Sequence, residues 1–125
     1  ARFVGSPAMN ILPGVIDDGR LCAGPFELEL PPTPDLGGRR LEIGVRPEHV
    51  AVERVETAAS ARVDVVESAG NETLLHASAG ETIVVARVPP ELRFEVGDAV
   101  RLAALPRHAY VFDAETGVTL RGLDR

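Results

Sequence analysis

Arg46, Glu48 and His49 form the densest group of reactive side chains in the 125-residue sequence, within Gly44-Val45-Arg46-Pro47-Glu48-His49. A proline between charged residues stiffens the backbone and removes one N–H. The group therefore reads either as a rigid, directional charged contact or as a strand terminus pinned by an internal Arg46–Glu48 ion pair. Asn71-Glu72 in Gly70-Asn71-Glu72-Thr73 is a second polar cluster, expected on a turn because Gly-Asn suits positive φ. Phe112-Asp113-Ala114-Glu115-Thr116-Gly117 reads as a hairpin loop, with Asp113 capping the turn and Gly117 in the left-handed position. The fourth cluster is Phe3-Val4-Gly5-Ser6-Pro7-Ala8-Met9-Asn10.

None of these spacings is a catalytic signature. All 13 basic residues are arginine, so a Gly-Lys-Ser/Thr phosphate loop, a lysine Schiff base and a lysine general base are excluded. Gly5-Ser6-Pro7 lacks the second glycine of a nucleophile elbow. Cys22, beside Ala23 and Gly24, reads as a buried or half-buried structural thiol, and a single cysteine forms no internal disulfide. His49, His76 and His108 are scattered, without the paired spacing of a metal site, so no metal is expected. Asn71-Glu72-Thr73 satisfies the glycosylation sequon, read as accidental.

The elements that must position these residues are strands. Phe26, Leu28 and Leu30 alternate with Glu27 and Glu29, and Leu41, Ile43 and Val45 alternate with Glu42 and Gly44. Val63 and Val65 flank Asp64, residues 83–88 form a β-branched run, and 99–104, 110–112 and 118–120 read as further short strands. Asp18-Gly19, Gly37-Gly38, Gly70-Asn71, Ala79-Gly80, Gly97-Asp98 and Thr116-Gly117 supply hairpin turns. Helical turns are expected only near Pro89–Leu92 and Pro106, and Pro31–Gly38 is the obvious loop. The expected class is all-β: a small OB-like barrel of short antiparallel strands, in one domain over residues 1–125.

The formal net charge of −6 argues against nucleic acid as a partner, because phosphate-backbone binding needs basic patches. No stretch approaches a membrane span of ~20 apolar residues and no leader is visible, so the cytoplasm is the expected compartment. The chain opens on Ala1 and reads as a piece of a longer protein.

Taken in order, the four clusters resemble the C-terminal regulatory domain of the ATPase subunits of bacterial ABC-class sugar importers, the maltose and glycerol-phosphate uptake group. Phe3 to Asn10 matches the segment that follows the ATPase domain in that family, here residues 1–12. Gly44 to His49 matches its Gly-Ile/Val-Arg-Pro-Glu-His. Gly70 to Thr73 matches its Leu-Gly-Asn/Ala-Glu/Asp-Thr, with Ala69 in place of leucine, and Phe112 to Gly117 its Phe-Asp-x-x-Thr-Gly. The resemblance implies a transport-associated OB domain without catalytic residues or cofactors of its own, ATP and magnesium belonging to an upstream domain. It also implies a homodimer of the full subunit, membrane permease subunits reached through the ATPase domain, a regulatory protein in some members, and a cytoplasmic position at the inner membrane face. Arg46, Glu48, His49, Asn71 and Glu72 are then the expected dimer or regulatory contact. The alternative is a barrel that senses a small ligand or oxyanion, as in related molybdate-transport domains, with Ser6, Ser60, Ser68, Thr73, Ser78 and Arg62 as possible ligands.

Overall fold

The computed structural model describes residues 9–29, 40–117 and 119–121. The Phe3–Ala8 cluster, Ser6, Leu30 and the Pro31–Gly38 loop with its Gly37-Gly38 turn lie outside them. The described chain is all-β, as the alternation predicts, with eleven strands in two antiparallel sheets.

The first sheet has the order β11-β10-β4-β1-β2-β3, where β1 is Asn10–Asp17, β2 Arg20–Ala23, β3 Phe26–Glu29, β4 Leu41–Val45, β10 Ala109–Asp113 and β11 Thr119–Arg121. The second has the order β5-β9-β6-β7-β8, with β5 Ala51–Arg54, β6 Ala61–Ala69, β7 Glu72–Ala79, β8 Thr82–Val88 and β9 Ala99–Ala103. This sheet curls until its edge strands β5 and β8 approach each other, which gives it the barrel character expected of an OB-like domain.

Strand pairing follows from turn chemistry. Asp18 and Gly19 both take positive φ, 56° and 78°, the backbone of a type I′ turn whose twist matches a two-stranded ribbon. It sets Asp17 opposite Arg20 and Ile16 opposite Leu21. A register shift between Val63 and Val65 places Val66 opposite Leu75 and leaves Val65 facing out, 47% exposed.

Leu12, Leu21, Phe26, Leu28, Leu41, Ile43 and Val45 of the first sheet join Val63, Leu75, Val84 and Val100 of the second in one buried cluster. Each such side chain contributes about 1.5–3 kcal/mol by leaving water. Apolar contact sets no register between the sheets, but Asn10 does. Its Nδ2 donates to the Val45 carbonyl at 3.0 Å and the Val85 carbonyl at 2.8 Å, and its Oδ1 accepts the Val85 N–H at 2.8 Å. One carboxamide thus stands in for a strand along the open edge of β8 and ties that edge to β4.

Two 3-10 turns, Pro47–His49 and Pro106–His108, carry the chain from the first sheet to the second and back. The turn at Pro106 falls where the sequence suggests one. Near Pro89 only a single tight turn forms, with the Leu92 N–H donating to the Pro89 carbonyl at 3.1 Å.

Replacing Asn10 with Ala leaves the Val45 and Val85 backbone groups without their partner and is expected to cost about 2–3 kcal/mol, with the m-value nearly unchanged. Urea unfolding measures this, and a midpoint equal to that of the parent chain would remove Asn10 from its linking role.

Candidate functional site

The clusters read from the sequence converge in space. Gly44 lies at the first convergence: a Cβ built there would sit 2.3 Å from Met9 Sδ and 2.8 Å from Phe112 Cε2. Only a bare backbone lets the Met9 side chain and the Phe112 ring cover β4. Phe112 in turn stacks near Tyr110, with ring centroids 6.2 Å apart. Residues of the Phe3–Asn10, Gly44–His49 and Phe112–Gly117 clusters therefore meet in one apolar junction.

Arg87 of β8 makes the second convergence. Its Nη1 lies 3.9 Å from Glu48 Oε1 and its Nε 3.2 Å from Glu72 Oε1. The Nε–H does not align with a hydrogen-bond acceptor, so the contact with Glu72 is one of charge more than of direction. All three side chains are about one-third exposed, and such a bridge contributes modestly to stability. Its larger effect is to hold the 46–49 turn beside the start of β7.

This geometry answers the expectations made for the site residues. Glu48 pairs with Arg87 and not with Arg46, which has no ion-pair partner among the described residues. Arg46 is half-buried, its carbonyl accepting the His49 N–H at 2.9 Å. Asn71 sits exposed in the turn, as expected. Glu72, expected on the loop, opens β7 opposite Ala69, because Gly70 and Asn71 alone complete the turn.

His49 and His108, 59 positions apart in sequence, stack with ring centroids 4.0 Å apart and planes 12° from parallel. They come from the two 3-10 turns that cross between the sheets. Pro-x-His occurs at both, Pro47-Glu48-His49 and Pro106-Arg107-His108, a repetition that could have revealed the pair. The stack forms one end of an apolar groove of about 300 Å3, with Glu48, Ala51, Ala104 and Leu105 on its walls. Nδ1 of His49 is buried without a hydrogen-bond partner. Desolvation, the neighbouring His49 and then Arg107 hold His108 below the ordinary imidazole range. Parallel stacked imidazoles do not converge their lone pairs on a common point, and no group of three or more His, Cys, Asp or Glu assembles among the described residues.

The remaining candidates are mostly committed to architecture. His76 lies 3.0 Å from Glu67 on the outer face, and Cys22 is half-buried in β2, as expected. Asp113 Oδ1 accepts the N–H groups of Glu115 and Thr116 at 2.8 and 3.1 Å, and Gly117 has φ 79°, as read from the sequence. Among the possible oxyanion ligands, Ser60 Oγ accepts the Leu102 N–H at 3.0 Å and Arg62 donates to the Gly97 carbonyl at 2.7 Å. Ser68 stands opposite Thr73, and Arg62 opposite Ser78.

Acid should act on the imidazole stack. His108 titrates below the ordinary imidazole value of 6.5 when folded, so the unfolded chain takes up that proton first as pH falls. Stability from this source is present above pH 6.5 and declines below it, until the folded ring is itself protonated. His108→Phe keeps a flat ring against His49 and is expected to flatten that decline in thermal unfolding measured across the interval. An equally steep decline in the variant would place its origin elsewhere.

Comparison with known proteins covers the chain almost end to end. A family model described as TOBE domain matches residues 43–112, and one described as MalK OB fold domain matches residues 5–50. The chain is 34% identical over 124 residues to the sn-glycerol-3-phosphate import ATP-binding protein UgpC of Yersinia pestis, covering 96% of this chain and 35% of that protein. It is 35% identical over 122 residues to the sulfoquinovosyl glycerol transport ATP-binding protein SmoE of Agrobacterium fabrum, covering 91% and 34%. A putative ATP-binding protein of Brucella abortus is 32% identical over 120 residues, covering 96% and 34%. The chain spans about a third of the length of these curated relatives.

Proposed function

The chain belongs to the TOBE-domain family, and from that membership we propose that it is the non-catalytic regulatory and dimerisation domain of the ATP-binding subunit of an ABC-type carbohydrate importer. The observation that carries the reading is the near end-to-end match to one third of proteins named as import or transport ATP-binding proteins. The absence of lysine agrees with it, since a phosphate loop needs that residue. ATP and magnesium then bind in a preceding domain, which also contacts the membrane permease subunits, and the whole assembly sits at the cytoplasmic face of the membrane.

In this reading the outer surface around Arg87 is the contact for the partner copy or a regulatory protein. Glu48 and Glu72 are already oriented by Arg87, which lowers the entropy lost when a partner engages them. Arg46, without an ion-pair partner among the described residues, and Asn71, exposed at the hairpin tip, offer donors to the incoming surface. His49 closes the same turn from the groove side.

Two measurements test the proposal. Purified chain is expected to turn over no ATP, and turnover above background would overturn the non-catalytic reading. In the full-length subunit, Arg46→Glu is expected to weaken dimerisation by roughly tenfold or more in sedimentation equilibrium, a change of about 1.4 kcal/mol. Its effect on the unfolding free energy should stay within about 0.5 kcal/mol. A dimer of unchanged affinity would remove Arg46 from the contact.

A further inference from the structure

β6 has a strand neighbour along only part of its outer edge. β9 pairs with it at Ala61 and Arg62. The Gly97 N–H then donates to the Val63 carbonyl at 2.8 Å, and the Val63 N–H to the Asp98 carbonyl at 2.9 Å. Beyond Val63 the bulge turns the strand away. From Val65 to Ala69 β6 keeps regular register with β7, yet among the described residues no backbone group bonds to its other side. Alternate residues of an antiparallel strand direct their N–H and C=O to opposite edges, so this stretch presents a row of unpaired donors and acceptors.

The side chains beside that edge are uncovered as well. Val66 stands opposite the buried Leu75 but is itself 37% exposed. Val66 and Ser68 line an open groove of about 310 Å3, whose other wall is Pro90, Leu92, Arg93 and Phe94. That wall is held in place. The Arg54 guanidinium lies 4.9 Å from the Phe94 ring centroid, donates to Asp98 at 3.2 Å and also donates to the Arg93 carbonyl. On the outer face of the strand, Val65 is exposed and Glu67 lies 3.0 Å from His76.

We propose that the Val65–Ala69 edge of β6 takes up an extended segment of a partner protein as an added strand, one whose side chains alternate apolar and basic. In such pairing the main-chain hydrogen bonds supply affinity, and the pockets for alternate side chains supply specificity. The apolar residues of the segment enter the groove over Val66, Leu92 and Phe94, while the basic ones face Glu67 on the other side. Charge selects this occupant over a second copy. Asp64 and Glu67 on the strand, with Glu91 and Glu95 on either side of the wall residues, outnumber Arg62 and Arg93. Arg62 is already engaged by the Gly97 carbonyl. A second chain, of formal net charge −6, would set one acidic edge against another. The pairing does not rest on the dimer reading, because a single chain carries the whole edge.

Amide chemical-shift titration of the purified chain at constant ionic strength tests this with three heptapeptides. One alternates lysine and valine, the second has glutamate in place of lysine, and the third is the lysine peptide N-methylated throughout. The lysine–valine peptide is expected to shift Val65 to Ser68 with a dissociation constant of about 1 mM or tighter, and to slow amide exchange there. The glutamate and N-methylated peptides are each expected to bind roughly tenfold or more weakly, the first for want of charge complementarity and the second for want of donors. Glu67→Lys and Leu92→Ser are each expected to weaken the lysine–valine peptide by roughly tenfold. Both side chains are exposed, so the melting temperature should stay at that of the parent chain. No shift along Val65 to Ser68, equal affinity for either control peptide, or binding unaffected by both substitutions overturns the proposal. So does a shift at these residues that grows with protein concentration alone, because a second copy is then the occupant.

Discussion

The fold depends on one carboxamide. The apolar core draws two sheets together, but hydrophobic attraction is non-directional and leaves their relative register open. Asn10 supplies the direction by engaging both backbone groups of Val85 and the carbonyl of Val45 at once. An edge strand presents unsatisfied N–H and C=O groups that elsewhere invite aggregation. On β8 a side chain from the other sheet satisfies two of them, so edge protection and sheet docking are one interaction.

Around that tie, the conspicuous residues of the sequence take roles mostly unlike those their chemistry suggests. Gly44 is bare because Met9 and Phe112 must cross it. Glu48 and Glu72, far apart in sequence, are joined through Arg87. Asp113 organises its own turn. What marks these clusters in the sequence is the convergence of several constraints on one point in space. The outward remainder, Arg46 and Asn71 with the charged pair beside them, is what stays available to another molecule.

The alternation of Phe26 to Glu29, Leu41 to Val45 and Ala99 to Ala103 made the all-β class legible, because period two survives when one face is buried. β1 escaped the same reading: Pro13 and Gly14 interrupt its pattern, and Val15 and Ile16 remain partly exposed. β7 escaped because His76 and Ser78 alternate with residues as small as Ala77 and Ala79. The site residues were visible by type but not by partner, since Arg87 lies in a run read simply as β-branched. The His49–His108 stack arises from topology, which brings the two 3-10 turns together, and the repeated Pro-x-His is its one local sign in the sequence.

The two 3-10 crossovers also give the chain a nested order. The second sheet is drawn from one continuous stretch, Ala51 to Ala103, set between the two portions of the first. Within the inner sheet β6, β7 and β8 pair as neighbours in sequence and β9 returns to β5 and β6, whereas β4 receives its partner β10 only after 63 intervening residues have passed. Closure of so long a loop slows the non-local step and sets the order of events during synthesis. The sheet that the ribosome begins first is the one completed last, with the face of β4 toward β10 bare until the final strands emerge.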